Sequence, residues 1–560
     1  MISSILVKKW STQGNNMSLP VSLGLDFGTE SVRAILVDRS GKQLAIATSE
    51  YAHGQITERL PGSAEPLPPR YALQCPGDWL DSASEATRRA VAEAEAAGEA
   101  VADHIVGIGV DFTSCTMLPT TREGKPLCEL DDFKSVPLAW PKLWKHHGAL
   151  HQTERLNRIA KLRDESFLHR YGGTIGLEWF FPKMLETIER APEVAHATEV
   201  WLEAGDWFVW QLVGGPAQTL TRSTCQAGYK AMWSAGDGYP SIDFLNEVHP
   251  ELARATTDCL PGVMRSPGEP AGRLSQPMAT RLGLREGIPV STAIIDAHAA
   301  VPGVGAAEPG TLVMVMGTSS CHMLNSLVKA DVPGVAGIVE GGILPGMYGY
   351  ETGQAAVGDA FAWLRRLLGL SSFDSIAGAA GDLPPGANGV VCLDWMNGCR
   401  TPLMDGGLRG AFTGLGLEHG PQHLYLALME ASAFGLRWIV ELLREGGVGI
   451  DRLVATGGLP HHNRGIVEVY ADVLGLDIEI HPSTQGPAVG AAVLGMLAAG
   501  HEASGFRSII EAATAMAAVA SDQRDMVRAR PGRTKLYDPL YRRYRELADL
   551  SQGRGKLNSY

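Results

Sequence analysis

Leu23-Gly24-Leu25-Asp26-Phe27-Gly28-Thr29-Glu30-Ser31 is the stretch around which the chain is organised. An apolar strand runs into an aspartate, a Gly-Thr turn follows at once, and a second apolar strand leaves it over 32–38. A tight turn with glycine exposes backbone N–H groups, and such a concavity suits a phosphate. The aspartate beside it can hold Mg²⁺, usually through water, because Mg²⁺ prefers oxygen ligands. The plain alternative is a β-hairpin with an Asp-Phe-Gly turn and no ligand.

The second half of the chain restarts the pattern. A strand over 311–316 leads to Gly317-Thr318-Ser319-Ser320, and a strand over 321–325 follows. A strand, a Gly-Thr turn and a strand therefore occur once in each half, a weak sequence repeat but an architectural one. Two such hairpins, one per domain, can clamp a polyphosphate from opposite sides. Thr29, Thr318 and Ser319 supply hydroxyl donors and backbone N–H groups the rest. Gly457-Gly458 follows a strand over 452–456 and precedes a helix over 463–474. Paired glycines let a backbone approach a flat ligand and suit an adenine or ribose seat; a turn needing positive φ explains them equally well.

The chain has 560 residues, enough for two to four domains. Apolar residues make up 45% and charged residues 19%, as in a globular protein with a large core. The net charge of −13 argues against a nucleic-acid or anionic-membrane partner, while local loops and Mg²⁺ still allow ATP. Eight scattered cysteines with no C-x-x-C pair fit a reducing cytoplasm, not a disulfide framework or zinc site. Residues 1–16 lack a sustained apolar run, so no secretory signal is expected, and 1–19 read as a disordered extension.

Strands over 23–26, 32–38 and 43–50 form a meander. Asp78 reads as the N-cap of a helix over 79–97. A buried strand over 105–111 stops at Asp111-Phe112-Thr113-Ser114-Cys115, and strand C-terminal ends are where α/β sheets place ligands. Seven of the twelve tryptophans fall between 131 and 235, where core packing explains most of them better than stacking on a sugar. Residues 236–288 read as a loosely ordered connection, with the domain boundary at its end. Helices are expected over 355–368, 424–445, 490–499 and, amphipathic, 535–550.

Three isolated polar residues carry chemistry. Asp296 ends an apolar strand; it can cap the following helix or act as a general base for a substrate hydroxyl. Lys230 sits in Ala227-Gly228-Tyr229-Lys230-Ala231-Met232-Trp233, and Glu351 in Tyr348-Gly349-Tyr350-Glu351-Thr352-Gly353-Gln354. A charge in such a setting needs a partner or a ligand. The two can pair with each other, or read the hydroxyls of a polyol.

The ordered set Asp26-Phe27-Gly28-Thr29-Glu30-Ser31, Asp111-Phe112-Thr113-Ser114-Cys115-Thr116, Asp296-Ala297-His298-Ala299, Met316-Gly317-Thr318-Ser319 and Gly457-Gly458 resembles the FGGY carbohydrate kinases. Ala227 to Lys230, Tyr350 to Gln354 and Asp394-Trp395-Met396-Asn397-Gly398-Cys399-Arg400-Thr401-Pro402 are similar to the branch acting on ribulose. The resemblance runs from about residue 20 to 545. It implies an α/β fold of two actin-like (ribonuclease-H-type) ATPase domains with an interdomain cleft. The domains expected are 20–287, with the sugar site and the first phosphate turn, and 288–550, with the nucleotide site and a C-terminal helix.

The resemblance also implies ATP-dependent phosphorylation of ribulose at its terminal hydroxyl, giving ribulose 5-phosphate in arabinose-type pentose catabolism. Asp296 is then the base, with Lys230, Glu351 and Ser114 also on the sugar. Gly28, Thr29, Ser31, Gly317, Thr318, Ser319, Gly457, Gly458 and Asn463 lie on ATP, and Asp26 on the Mg²⁺ side. The partner is a small ketopentose or pentitol, with no nucleic acid and no membrane; a homodimer stays open. Two segments depart from the family pattern: 179–185, in the spacing of its Pro and Lys, and 410–430, at Leu428. The alternatives are a kinase for xylulose, ribitol or glycerol and, from another class, an actin- or Hsp70-like ATPase or sugar sensor.

Overall fold

The computed structural model describes residues 19–99, 101–520 and 522–553. The disordered extension expected over 1–19 falls, apart from Leu19, outside the described residues.

The opening stretch becomes the centre of a mixed sheet. β1 (Val21–Phe27) is buried along its whole length and pairs antiparallel with β2 (Ser31–Asp38), which pairs with β3 (Gln43–Glu50). β1 also runs parallel to β4 (Ile105–Phe112). β5 (Pro270–Arg273), β6 (Pro289–Ser291) and β7 (Ile294–Ile295) complete the sheet, in the order β3-β2-β1-β4-β6-β5 with β7 also beside β4. A continuous apolar run suits strands covered on both faces.

The second sheet repeats this plan. β8 (Thr311–Met316) pairs antiparallel with β9 (Ser320–Ser326). Beyond β9 lie β11 (Tyr348–Gln354) and then β10 (Gly337–Glu340). On the other side β8 runs parallel to β12 (Arg452–Thr456), followed by β13 (Ile478–Ile480) and β14 (Asp525–Val527). Each sheet thus carries an antiparallel run of strands whose first member in the chain pairs in parallel with a later strand; in the second the order of β10 and β11 is exchanged relative to a simple meander.

Two sequence readings need correction. β6 and β7 belong to the first sheet, so the chain crosses to the second only after Ile295, later than the expected boundary at 287/288. The step lies there because Val290 and Ile294 pair with β4 and complete the buried sheet. Residues 236–288 are not loosely ordered: they hold helices Ile242–Val248, Pro250–Asp258 and Gln276–Leu282, which bury Phe244, Leu252 and Leu282. Pro250 and Pro277 start helices, and Pro270 and Gly272 lie in β5.

Two helices fill the space between the sheets: α3 (Asp296–Gly303) and α5 (Gly486–Ala498). Their contact is made of backbone. A Cβ on Gly490 would stand 1.8 Å from the Ala299 carbonyl oxygen, and one on Gly303 1.8 Å from that of Gly486. The other face of α5 lies as close to β4, where a Cβ on Gly109 would stand 1.7 Å from the Ala491 oxygen. Only glycine admits such approaches.

α1 (Pro76–Ala96) covers β2 and β3. Its cap position is Cys75, not Asp78; the Asp78 carboxylate instead accepts from His53 N and bonds His53 Nδ1, both at 2.8 Å. α4 (Pro421–Glu445) and the C-terminal α6 (Pro531–Ser551) pack in the core of the second sheet. Of the clustered tryptophans, Trp140, Trp179, Trp201, Trp207 and Trp210 are buried, as core packing requires, while Trp144 is 38% exposed.

Candidate active site

Each Gly-Thr turn is closed by its glycine N–H, the first across three residues and the second across two. Gly28 N donates to the Ser31 oxygen at 3.0 Å, and Gly317 N to the Ser319 oxygen at 2.9 Å. The first turn is braced from three sides: Tyr51 donates to the Gly28 oxygen, Gln74 Nε2 to the Thr29 oxygen, and Trp144 Nε1 to Thr29 Oγ1 at 3.2 Å. The second turn accepts Val357 N and Asp359 N on the Thr318 oxygen, while Gly317 and Thr318 stay exposed. Gly457 has φ of +95° and backs onto Met316, where a Cβ would stand 2.5 Å from the carbonyl oxygen. Sequence separated this glycine from the second turn by 140 positions, and the parallel pairing of β8 with β12 brings them together.

A cavity of about 680 Å³ opens between the sheets. It is lined by Ser114, Lys230, Asp296 and Glu351, which sequence assigned to the substrate, by Ser319, which it assigned to ATP, and by Trp144, Glu178, Trp179, His298 and Arg400. Lys230 ends α2 (Thr224–Lys230), whose N-cap Ser223 hydroxyl donates to the Ala293 oxygen at 2.6 Å, fixing the helix to the strand end beside Asp296. Ser114 sits at the turn after β4. Lys183, fully buried, donates to the Cys115 oxygen at 2.6 Å and the Leu143 oxygen at 2.8 Å, supporting that turn from behind. This gives the divergent segment 179–185 a structural role.

Lys230 and Glu351 pair, at 3.0 and 3.1 Å to the two carboxylate oxygens. Arg400 also bonds Glu351, and His298 Nε2 lies 3.3 Å from its Oε2. Burial opposes ionisation of Glu351, but Lys230 and Arg400 outweigh it and hold the carboxyl well below its ordinary value. Burial lowers His298, so the imidazole is neutral at neutral pH.

Three aspartates meet at the C-terminal ends of adjoining strands. Asp26 on β1 stands opposite Asp111 on β4, and Asp296 follows β7, whose Ile294 also stands opposite Asp111. Asp26 accepts from Arg33 at 2.6 Å. Asp111 is fully buried, and neither carboxylate oxygen has a conventional donor. Burial, then Asp26 and Asp296, push its carboxyl well up. Burial, tempered by the Ala297 N–H at 2.7 Å, pushes Asp296 up to about 7. The helix-capping reading of Asp296 does not hold, because the cap position is Ile295 and Asp296 is the first helical residue, bonding only the N–H of its neighbour; its carboxylate lines the cavity.

An all-oxygen donor set with an unpartnered buried carboxylate fits Mg²⁺. The carboxylates are too spread to close around a bare ion; among the described residues the gathered metal-ligand atoms are those of His53, Cys75 and Asp78, where hydrogen bonds already join the His and the Asp. Asp26, engaged by Arg33, suits a hydrated ion held at a distance.

Asn463 lies apart from this cavity. It caps helix Arg464–Leu474, donates to the Tyr425 hydroxyl at 2.8 Å and lines a second cavity of about 370 Å³. Asp111, His298 and Arg400 were quoted in motifs but given no role from sequence. Asp111 was within reach, because it ends a buried strand as Asp296 does.

Two repeated sheets, two equivalent Gly-Thr turns and a charged cleft between them define a two-domain actin-like α/β protein. Sequence comparison agrees: the N-terminal domain of the FGGY family of carbohydrate kinases matches residues 21–303 and its C-terminal domain residues 312–499. The chain belongs to the FGGY family of carbohydrate kinases. It is 43% identical over 546 residues to a ribulokinase of Geobacillus thermodenitrificans (strain NG80-2), covering 95% of each chain. It is 41% identical to a ribulokinase of Mycolicibacterium smegmatis, covering 94% of this chain and 93% of that one. Among solved structures, xylulose kinase from Rhodospirillum rubrum superposes with a TM-score of 0.77 at 23% identity, covering 95% of this chain and 99% of that one. Plasmodium falciparum glycerol kinase with ADP gives 0.74 at 15%, covering 94% and 98%. At those identities the structures speak for the fold.

Proposed function

We propose that this protein is a ribulokinase, phosphorylating ribulose at its terminal hydroxyl with ATP to give ribulose 5-phosphate. The observation that carries the reading is the cavity itself: an aspartate with its carboxyl poised near neutral pH faces a buried Lys-Glu pair across a space of about 680 Å³. The identity to ribulokinases over nearly the whole chain supports ribulose over xylulose or glycerol.

Asp296, ionised, takes the hydroxyl proton as the acceptor oxygen bonds the γ-phosphorus and the bond to ADP breaks. ATP supplies the phosphoryl group, and Mg²⁺ neutralises its oxygens. Gly28, Thr29, Ser31, Gly317, Thr318 and Ser319 offer donors to the phosphates from the two turns, Gly457 and Gly458 a close backbone seat for the nucleoside, and Asn463 its outer edge. Asp26 and Asp111 would hold the metal. Lys230, Glu351 and Ser114 place the sugar; a site built to hydrogen-bond hydroxyls rejects acceptors that lack them.

A panel of ribulose, xylulose, ribitol and glycerol in an ATP-consumption assay, with the product checked by NMR, tests the reading. The highest kcat/KM is expected for ribulose with phosphate on its terminal carbon. A preference for glycerol, or ATP hydrolysis indifferent to sugar, refutes it.

A further inference from the structure

Arg400 belongs to a segment pinned at both ends to the strand that carries Glu351. At its start, Asp394 is buried and its oxygens are divided between two donors: Tyr544 hydroxyl to Oδ1 at 2.9 Å, and Gln354 Nε2 to Oδ2 at 3.1 Å. Gln354 stands on β11 three residues beyond Glu351. At the far end, Thr401 N donates to the Gly353 oxygen at 3.1 Å, and Thr401 Oγ1 accepts from Gly353 N at 3.2 Å. Tyr544 comes from α6, 150 positions further on, and is 1% exposed. The C-terminal helix therefore reaches the start of the Arg400 segment through one phenol.

Between the pins, the Arg400 guanidinium bonds Glu351 and approaches Cys321 Sγ at 3.4 Å. Glu351 Oε1 then has Lys230 and Arg400 against it, and Oε2 has Lys230 and His298. Rotation of the carboxylate is fixed by where Arg400 stands. A guanidinium carries five N–H donors in a rigid fork, and a lysine cannot reproduce that geometry. Glu351 and the sulfur do not use them all, and the Arg400 side chain keeps 27% exposure at the cavity wall.

We propose that Arg400 is a sugar-positioning residue, orienting Glu351 and offering its remaining N–H groups to an oxygen of the acceptor, and that Tyr544 is a remote positioning residue acting through Asp394. The inference rests on the reading of this cavity as the sugar site. A hydrogen-bonded chain of this kind couples its members, so substitutions along it are non-additive. A tyrosine that merely docks a helix couples to nothing at the sugar.

The test measures kcat and KM for ribulose and for ATP in Arg400→Lys, Tyr544→Phe, the double variant and Tyr541→Phe. Tyr541 lies on the same helix, but its hydroxyl donates to Glu441 at 2.7 Å and does not touch the Arg400 segment. Arg400→Lys is expected to raise the ribulose KM roughly tenfold and to leave the ATP KM unchanged. Tyr544→Phe raises the ribulose KM several-fold at near-constant kcat, the double variant falls short of the product of the two effects, and Tyr541→Phe changes neither KM. Equal shifts in both KM values for Tyr544→Phe, effects that multiply independently, or identical behaviour of the two tyrosine variants overturn the proposal. If the wild type prefers another polyol, that polyol replaces ribulose in the same four variants. A wrong substrate thus shows in the wild type, and a wrong positioning role in the variants.

Discussion

Lys230 and Glu351, 121 positions apart, form a buried ion pair: the lysine ends α2, which is tied to the first sheet through Ser223 and Ala293 and packs against β10 of the second, and the glutamate stands mid-strand in the second sheet. Taking both charges out of water is expensive, and the attraction between them repays this only with good geometry and further hydrogen bonds. Arg400 supplies the further partner.

Removing the two partners should therefore have unequal effects. Glu351→Gln leaves Lys230 and Arg400 facing each other without an anion, and should lower stability by about 3 kcal/mol. Lys230→Met leaves Glu351 still paired with Arg400 and should be milder. Urea melts compare the two. Both variants should raise the KM for the sugar, with a loss of about 1–3 kcal/mol in transition-state binding.

Asp296→Asn should lower kcat about 10²- to 10⁴-fold, the usual contribution of a positioned base, while nucleotide affinity measured by calorimetry stays near wild type. Retained turnover would remove Asp296 from the mechanism. Because its carboxyl is pushed up to about 7, the wild type should lose activity as pH falls through about 7, the base being protonated on the acid side. A pH profile of kcat/KM flat from 5 to 8 would contradict the assignment.

Glu430, on α4, is buried and accepts from Gly386 N at 2.8 Å; burial raises it from 4.5 to about 8. Between those values the folded chain holds a proton that the unfolded chain has released. Each pH unit in that window then costs about 1.4 kcal/mol of stability as pH rises, and nothing more is lost above about 8. Glu430→Gln should remove one proton's worth of this slope, seen as a smaller difference between denaturation midpoints at pH 5 and pH 8.

Gly490→Ala places a methyl group 1.8 Å from the Ala299 oxygen, where neither helix has a side chain to move. Overpacking of this kind costs about 1–3 kcal/mol, and a lowered Tm should report it. Gly62→Ala, where a Cβ meets nothing within 4 Å but φ is +75°, should cost only the backbone strain.

The repeated strand, Gly-Thr turn and strand were legible because the turn chemistry is local and the apolar runs are continuous. Asp296, Lys230 and Glu351 were legible because a charge among apolar neighbours stands out. Arg400 did not stand out: it lies in a polar loop, and its meaning comes from Glu351, which pairing of β11 in the second sheet sets beside it. Asp26 read as a metal-side residue, and sequence could not show that Arg33, seven positions on across the hairpin, already holds it. The boundary was misplaced for a similar reason. A strand followed by a small-residue helix looks the same whether it completes one sheet or begins the next, and only the register of β6 and β7 on β4 decides.

The crossing of α3 and α5 carries a mechanical consequence. Gly303, Gly486 and Gly490 leave peptide groups against peptide groups, with no interlocking side chains at the point of contact. Any turning of one sheet against the other passes through a joint that has no rotamers to exchange and no teeth to disengage. It is a bare bearing, and away from it the two halves are tied by the buried Lys230–Glu351 pair and by α2, whose Thr224 hydroxyl donates to the Gly341 oxygen at 2.7 Å.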